Sequence, residues 1–251
     1  SATNSPEGRR EIAFANFSSP RRAKRSGMEI KMISIAIDGP AGAGKSTIAK
    51  RVAKELSYIY VDTGAMYRAM ALYLHRKGID AEDAQTIAGA CDGAKISIEY
   101  RDGEQVVLLD GENVNPFLRT QEVSSMASKS SAVPEVRTRL VQLQQELAAA
   151  RNVVMDGRDI GTVVLPRAQV KIYLTASVEV RAKRRFLELR EKGEDPVLAK
   201  IAAEIEDRDY RDMNRAVSPL RQAEDALLVD SSDMTVEEVA EKILAIVREK
   251  I

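Results

Sequence analysis

Histidine, cysteine and tryptophan are scarce in this 251-residue chain, which has one, one and none of them. With His75 alone, no His-based triad can be assembled. It sits in "LHRKG" near an expected helix end, with Gly78 as cap, where a cation suits the helix dipole and the role is structural. Cys91 has no second cysteine to close a disulfide and no histidine in a recognisable pattern, so zinc and thiol chemistry find no support. A lone thiol fits a reducing compartment. No run of eighteen apolar residues exists to span a bilayer, so a soluble chain is expected. An excess of charge of one sign is missing too, since Lys plus Arg and Asp plus Glu number 38 each. No global field therefore attracts a polyanion such as DNA, and any anion site must be built locally.

What is present is ordinary globular composition, 44% apolar and 30% charged, in a length that suits one domain with insertions. Residues 1–27 differ. They scatter Ser, Pro and Gly among Arg9, Arg10, Arg21, Arg22, Lys24 and Arg25 without periodicity, which reads as a disordered basic tail. Either an extension ahead of a start near Met28 or an Arg- and Ser-rich organellar leader accounts for them. The remainder, 28–251, is read as one domain without internal repeats.

From Met32 onward, short apolar runs alternate with helix-period segments, the pattern of βα units around a parallel sheet. Five strands are expected, at 32–37, 58–61, 153–155, 170–174 and 227–229. Four run into an aspartate, which would set Asp38, Asp62, Asp156 and Asp230 at the carboxyl ends of strands, where open α/β sheets gather ligands. Between Lys95 and Asn115 the alternation "KISIEY", "RDGE", "QVVLLDG" predicts a hairpin insert. Two helices are expected at 119–131 and 134–150. In the last helix, Thr235 and Glu238 form a capping box, and Val239, Ile243, Ile246 and Val247 share the core face.

The stretch "IDGPAGAGKST" carries the chemistry. Gly39, Gly42, Gly44, Lys45 and Ser46 spell G-x-x-x-x-G-K-S after an expected strand and before the helical "STIAKRVAKEL". Backbone N–H groups can converge on phosphate oxygens only where no Cβ obstructs them, and the following helix adds its unpaired N–H groups and positive dipole end. Gly39, Pro40, Ala41, Gly42, Ala43, Gly44, Lys45, Ser46 and Thr47 are therefore the candidate residues for a nucleoside triphosphate, which the resemblance given below makes ATP. Lys45 would reach the β- and γ-phosphates, and the Ser46 hydroxyl would be a ligand for Mg²⁺. The bland reading, a flexible strand-to-helix turn with a solvated lysine, needs the same glycines but not the following Lys-Ser.

A P-loop does not name the acceptor. "DTGAMYR" (62–68) and "DGRDIGT" (156–162) each follow a strand and put Arg68 and Arg158 at the ligand edge. In "RDYRDMNR", Arg208, Arg211, Asp212 and Arg215 fall on one face of an expected helix. A solvated face laced with Asp207–Arg211 and Arg208–Asp212 pairs has the same spacing. Every cation there is arginine, however, whose planar fork suits phosphate, and phosphoryl transfer needs such a clamp.

These motifs, together with "RTQEV" (119–123), "DGRDIGTVV" (156–164) and "RDYRDMNRAVSPL" (208–220), resemble the bacterial-type cytidylate kinases among the nucleoside monophosphate kinases. The likeness runs from about Met32 to the C-terminus and does not cover 1–27. It implies an α/β P-loop kinase with a five-stranded parallel sheet flanked by helices, a small β-rich monophosphate-binding insert at 94–131 and a helical lid at 191–216. It also implies transfer of the γ-phosphate of ATP to CMP or dCMP, with Mg²⁺. By family likeness Arg68, Arg158 and Arg215 would hold the acceptor phosphate, Thr63, Arg119 and Asp159 would surround the cytosine, and Arg208 and Asp212 would reach the ribose. Lys45, Arg158, Arg211 and Arg215 are the expected catalytic groups. Cytosine offers an exocyclic amine where uracil has a carbonyl, so a carboxylate such as Asp159 suits the former. An N-cap or an ion pair with Arg158 is the other reading of Asp159. Other acceptors, UMP or AMP, stay open, as does a regulatory nucleotide switch, although no N-K-x-D sequence for guanine is present. Loop residues "EKGEDP" (191–196) ahead of the arginine helix predict a moving element. The expected setting is a cytoplasmic monomer acting on small nucleotides, without nucleic acid or membrane partners.

Overall fold

The apolar runs do pair as parallel strands. In the computed structural model, which describes residues 32–251, β1 (Ser34–Asp38), β2 (Ile59–Asp62), β6 (Val153–Gly157), β7 (Val170–Thr175) and β8 (Leu227–Asp230) form one five-stranded sheet in the order β2-β6-β1-β7-β8. The tail at 1–27 and the start near Met28 lie outside the described residues. The central strand β1 is buried along its whole length, and its side chains alternate between two apolar layers. Ala36 joins a cluster built with α2 (Thr63–Arg76), α4 (Gln121–Ser130) and α5 (Pro134–Ala150). Ile35 and Ile37 face the opposite cluster, made with α1 (Lys45–Leu56) and α8 (Val236–Lys250). The α8 capping box is present, and its buried stripe takes in Ala240 and Leu244 as well as Val239, Ile243 and Val247, with Ile246 only half-buried.

Parallel register brings the strand-end aspartates to one edge: Asp62 pairs with Asp156, and Asp38 lies opposite Gly157. That edge carries the site. Behind β6 the chain enters a π-helical turn (Ile160–Val164), which no sequence pattern suggested. The helices α6 (Val178–Glu191) and α7 (Leu198–Asn214) form a hairpin beyond β7, and neither contributes a residue to the two apolar clusters. Among the described residues, no helix is long and apolar enough to cross a membrane.

Between α2 and α4 the chain adds α3 (Ala84–Ala90) and then the insert. Its β3 (Ile96–Arg101) and β4 (Glu104–Leu109) are joined by Asp102 and Gly103, both at positive φ, as a two-residue hairpin turn demands. The expected hairpin is extended to three antiparallel strands, because Asp110–Gly111 repeats the same turn before β5 (Glu112–Asn113). The insert is docked on β2, whose outer edge would otherwise present unpaired backbone. The Gln105 side chain accepts from Asp62 N (2.8 Å) and donates to Asp62 O (3.2 Å), while the Tyr100 hydroxyl donates to Tyr60 O (2.8 Å). Asp62 in turn caps α2 by accepting from Ala65 N, so the insert steadies the helix end that carries Thr63 and Arg68.

Removing that amide strips both partners from the Asp62 backbone. Gln105→Ala is expected to cost about 1–3 kcal/mol, seen as a lower urea midpoint at unchanged slope.

Candidate active site

The P-loop owes its path to two glycine positions. A Cβ on Gly39 (φ +147°) would overlap the carbonyl oxygen of Leu174, and Gly44 (φ +86°) is the left-handed residue from which α1 starts. No side chain caps α1 and no acid lies in its first turn, so its N–H groups and dipole face the cavity uncompensated. Lys45 is only 5% exposed, and its Nζ donates to Pro40 O at 2.7 Å. Burial, and then the neighbouring Arg158 charge, hold its pKa well below the ordinary lysine value. Ala41 through Thr47 line one cavity of about 680 Å³, with Gly39 and Pro40 shaping the loop beneath it.

Two carboxylates sit under the loop. Asp156 accepts from the Ser46 hydroxyl (3.0 Å) and from the Tyr60 hydroxyl (2.9 Å). Its pKa is raised to about 6, by burial first and then by Asp62, against the pull of Lys45. Asp38 accepts from Ile160 N (2.8 Å) and Gly161 N (2.7 Å), which ties the end of β1 to the turn that follows Arg158 and Asp159. Burial lifts it to about 6 as well, with the Asp159 charge adding to the rise. Ser46 and Asp156 are the oxygen donors next to the P-loop lysine. A hydroxyl and a carboxylate in this arrangement fit Mg²⁺, which takes few protein ligands and keeps waters and phosphate oxygens for the rest. Among the described residues, no cluster of three or more His, Cys, Asp or Glu offers an all-protein metal cage.

Across the cavity stand the arginines. Thr63, Arg68, Arg158, Asp159, Arg208, Asp212 and Arg215 all line it. Thr63 is fixed by donating to Asp156 O (2.7 Å), and Arg158 Nε donates to Asp212 at 2.9 Å. Arg208 makes no pair with Asp212, and burial, reinforced by the Arg158 charge, lowers its pKa to about 10. Its Nε, and Nη2 of Arg215, are buried donors without a hydrogen-bond acceptor.

Three expectations need correction. Arg215 is not on the helix, because α7 ends at Asn214 and Arg215 is extended. The chain then doubles back, with Leu220 N donating to Asp212 O and Arg215 Nε to Ser218 O. Of the two spaced ion pairs, only Asp207–Arg211 forms. Asp159 neither caps a helix with its side chain nor pairs with Arg158; it binds Arg137, and Arg215 lies 4.0 Å away. Two other residues sit apart. Arg211 is on the exposed side of α7, touching Ser128 Oγ (3.2 Å). Arg119 is exposed at a neighbouring cleft of about 120 Å³ that it shares with Arg68 and Gln105.

Several cavity residues carried no expectation. Arg137, 4% exposed, lies over the Tyr67 ring and donates to Ser131 O and Asp159. A signal existed: it falls on the buried stripe of α5 with Val136, Leu140 and Gln144, and a buried arginine needs an anion. Arg181, Arg184 and Arg185 of α6 line the side of the cavity toward Met234 and Val239. In all, nine cationic and five carboxylate side chains line the cavity, so a chain of zero formal net charge contains a strongly positive pocket. Such a cavity can hold two polyphosphorylated or phosphorylated groups, one on main-chain amides and one on guanidinium groups.

The raised Asp156 value fixes a sign. The folded carboxyl holds its proton more tightly than the unfolded one, so its contribution is fully favourable below pH 3.8 and is lost as pH rises through about 6. Asp156→Asn is therefore expected to gain stability over the wild type as pH climbs from about 4 to 6. The gain should level off above that, read from urea unfolding across the pH range.

Comparison with known proteins agrees with this geometry. The family model described as Cytidylate kinase matches residues 35–249. A cytidylate kinase of Caldicellulosiruptor bescii is 53% identical over 215 residues, 86% of this chain and 95% of its own. One from Lactobacillus johnsonii is 48% identical over 227 residues, covering 90% and 98% respectively. With the P-loop, the strand-end acids and the arginine wall in one cavity, the chain belongs to the cytidylate kinase family.

Proposed function

We propose that the chain transfers the γ-phosphate of ATP to CMP or dCMP, giving ADP and CDP or dCDP. One observation carries this reading: the P-loop and four arginines from three different segments, Arg68, Arg158, Arg208 and Arg215, line a single cavity. ATP lies with its phosphates on Ala41–Thr47 and the α1 N-terminus. The acceptor phosphate faces Arg68, Arg158 and Arg215, Arg208 and Asp212 reach toward its ribose, and Thr63 and Asp159 border the base. The accepting phosphate is already ionised near pH 7, so no proton-abstracting side chain is required. Catalysis is then in-line positioning and neutralisation of charge spread over the moving group. Lys45, confined by burial, moves its ammonium from Pro40 O to phosphate oxygen over a short distance. Arg158 is held in place by Asp212, while the free donors of Arg208 and Arg215 remain for phosphate or ribose oxygens. Ser46 and Asp156 would hold Mg²⁺, which when bound neutralises charge on the donor phosphates. The segment 191–216, which carries α7, acts as the lid, the β3–β5 insert as the wall behind the monophosphate, and the protein works as a cytoplasmic monomer on free nucleotides.

The base specificity follows from Asp159, a carboxyl group kept at the cavity wall by Arg137. It accepts from the cytosine amine and opposes the uracil carbonyl.

Two measurements test this. ATP-dependent conversion of CMP, dCMP, UMP and AMP should favour the cytidine nucleotides, and Lys45→Ala should lower turnover by about 10²–10³-fold. Asp159→Ala should shrink the CMP-over-UMP preference by roughly 10–100-fold; an unchanged ratio would reject Asp159 as the reader of the amine.

A further inference from the structure

Arg181 has no role in the reading above, yet it is a fully engaged buried arginine, 4% exposed. Its Nε donates to Ala176 O (2.9 Å) after β7 and its Nη1 to Ala41 O (3.0 Å) in the P-loop, while its Nη2 forms an ion pair with Asp209 (2.7 Å) on α7. Gly42, at φ +77°, packs against it, so that a Cβ there would lie 3.5 Å from the Arg181 Cβ.

The attachment of α7 gives these contacts their meaning. Only three of its side chains are buried, Ile201, Asp209 and Asp212, and none joins either apolar cluster. The two acids, one turn apart, bind Arg181 and Arg158. One of them thus reaches the donor loop and the other the acceptor side. A guanidinium is a rigid planar fork, so its arms cannot be redirected one at a time. Turning Nη2 away from Asp209 also turns Nη1, and with it the hold on Ala41 O.

We propose that Arg181 is a positioning residue for the donor phosphates, and that the Arg181–Asp209 pair makes the shape of the P-loop depend on whether α7 is docked. Resting on the reading of the cavity as paired donor and acceptor sites, this assigns α7 a second task besides delivering Arg208: it sets the loop that grips the donor. The grip tightens when the helix is seated and relaxes when it leaves.

The test uses the full chain, with AMP-PNP and CMP as separate calorimetric probes, on wild type, Asp209→Asn, Arg181→Lys and the double variant. Expected for each single variant, at a temperature where it is fully folded, is an AMP-PNP affinity about 5–10-fold weaker, the scale of one charge-assisted contact, with CMP affinity unchanged. KM for ATP should rise while KM for CMP stays, and the double variant should be no worse than the worse single one. AMP-PNP binding like wild type in both single variants would overturn the proposal. So would equal losses for both probes in the folded variants, the mark of a merely structural pair. A wild type that binds AMP-PNP but not CMP would instead reject the acceptor assignment, and the AMP-PNP comparison would still decide the role of Arg181.

Discussion

Nine cations around one cavity repel each other, and the fold tolerates them because carboxylates are set between them on rigid elements. Asp212 stands against Arg158, Asp159 against Arg137, Asp209 against Arg181, and Asp156 near Lys45. Each acid comes from a different part of the chain than its partner, so the charge balance exists only in the folded state. The compensation is partial. Burial and like charge still depress Lys45 and Arg208, and burial still raises Asp38 and Asp156. In the proposed function, an incoming phosphate would offset the positive charge that these carboxylates leave unbalanced.

That imbalance is tolerated because stability resides elsewhere. The two apolar clusters sandwich the sheet, and β1, wholly buried, anchors the P-loop directly through Asp38 and Gly39. Asp38 connects this anchor to the far wall through two backbone N–H groups of the π-helical turn. The P-loop and the turn after Arg158 are thereby referenced to one strand end, and the distance between them is set by sheet geometry.

Much of this was legible in sequence, and the failures have physical reasons. The five strands, the P-loop and the capping box are local patterns, written in periodicity and spacing, and all formed. The second Asp-Gly turn is equally local, but the strand it leads into, Glu112–Asn113, is too short to show an alternation. Arg137 is hard to single out in sequence because α5 carries many polar residues, although its buried stripe takes that arginine inward. The Arg181–Asp209 and Arg158–Asp212 pairs span 28 and 54 residues, and no local spacing encodes contacts of that range. The placement of Arg215 turned on where α7 stops, which depends on the doubling back to Leu220 more than on helix period. Arg119 entered by likeness alone, and lies in the cleft beside the cavity.

The contrast between the body and α7 bears on how such a site opens. An apolar contact loses free energy in proportion to the area exposed, whereas an ion pair separated into water regains solvation for both partners. A helix held by Ile201 and two acid–arginine pairs therefore leaves at smaller cost than one seated in a hydrophobic core. Local opening draws on elements with few buried apolar contacts, and α7 is such an element, with Leu198, Tyr210 and Met213 already exposed while docked. In the proposed function, the charges assigned to phosphate thus also make α7 a detachable cover. Replacing Asp209 and Asp212 with apolar residues to secure the helix would remove both the partners of the arginines and the ease of release.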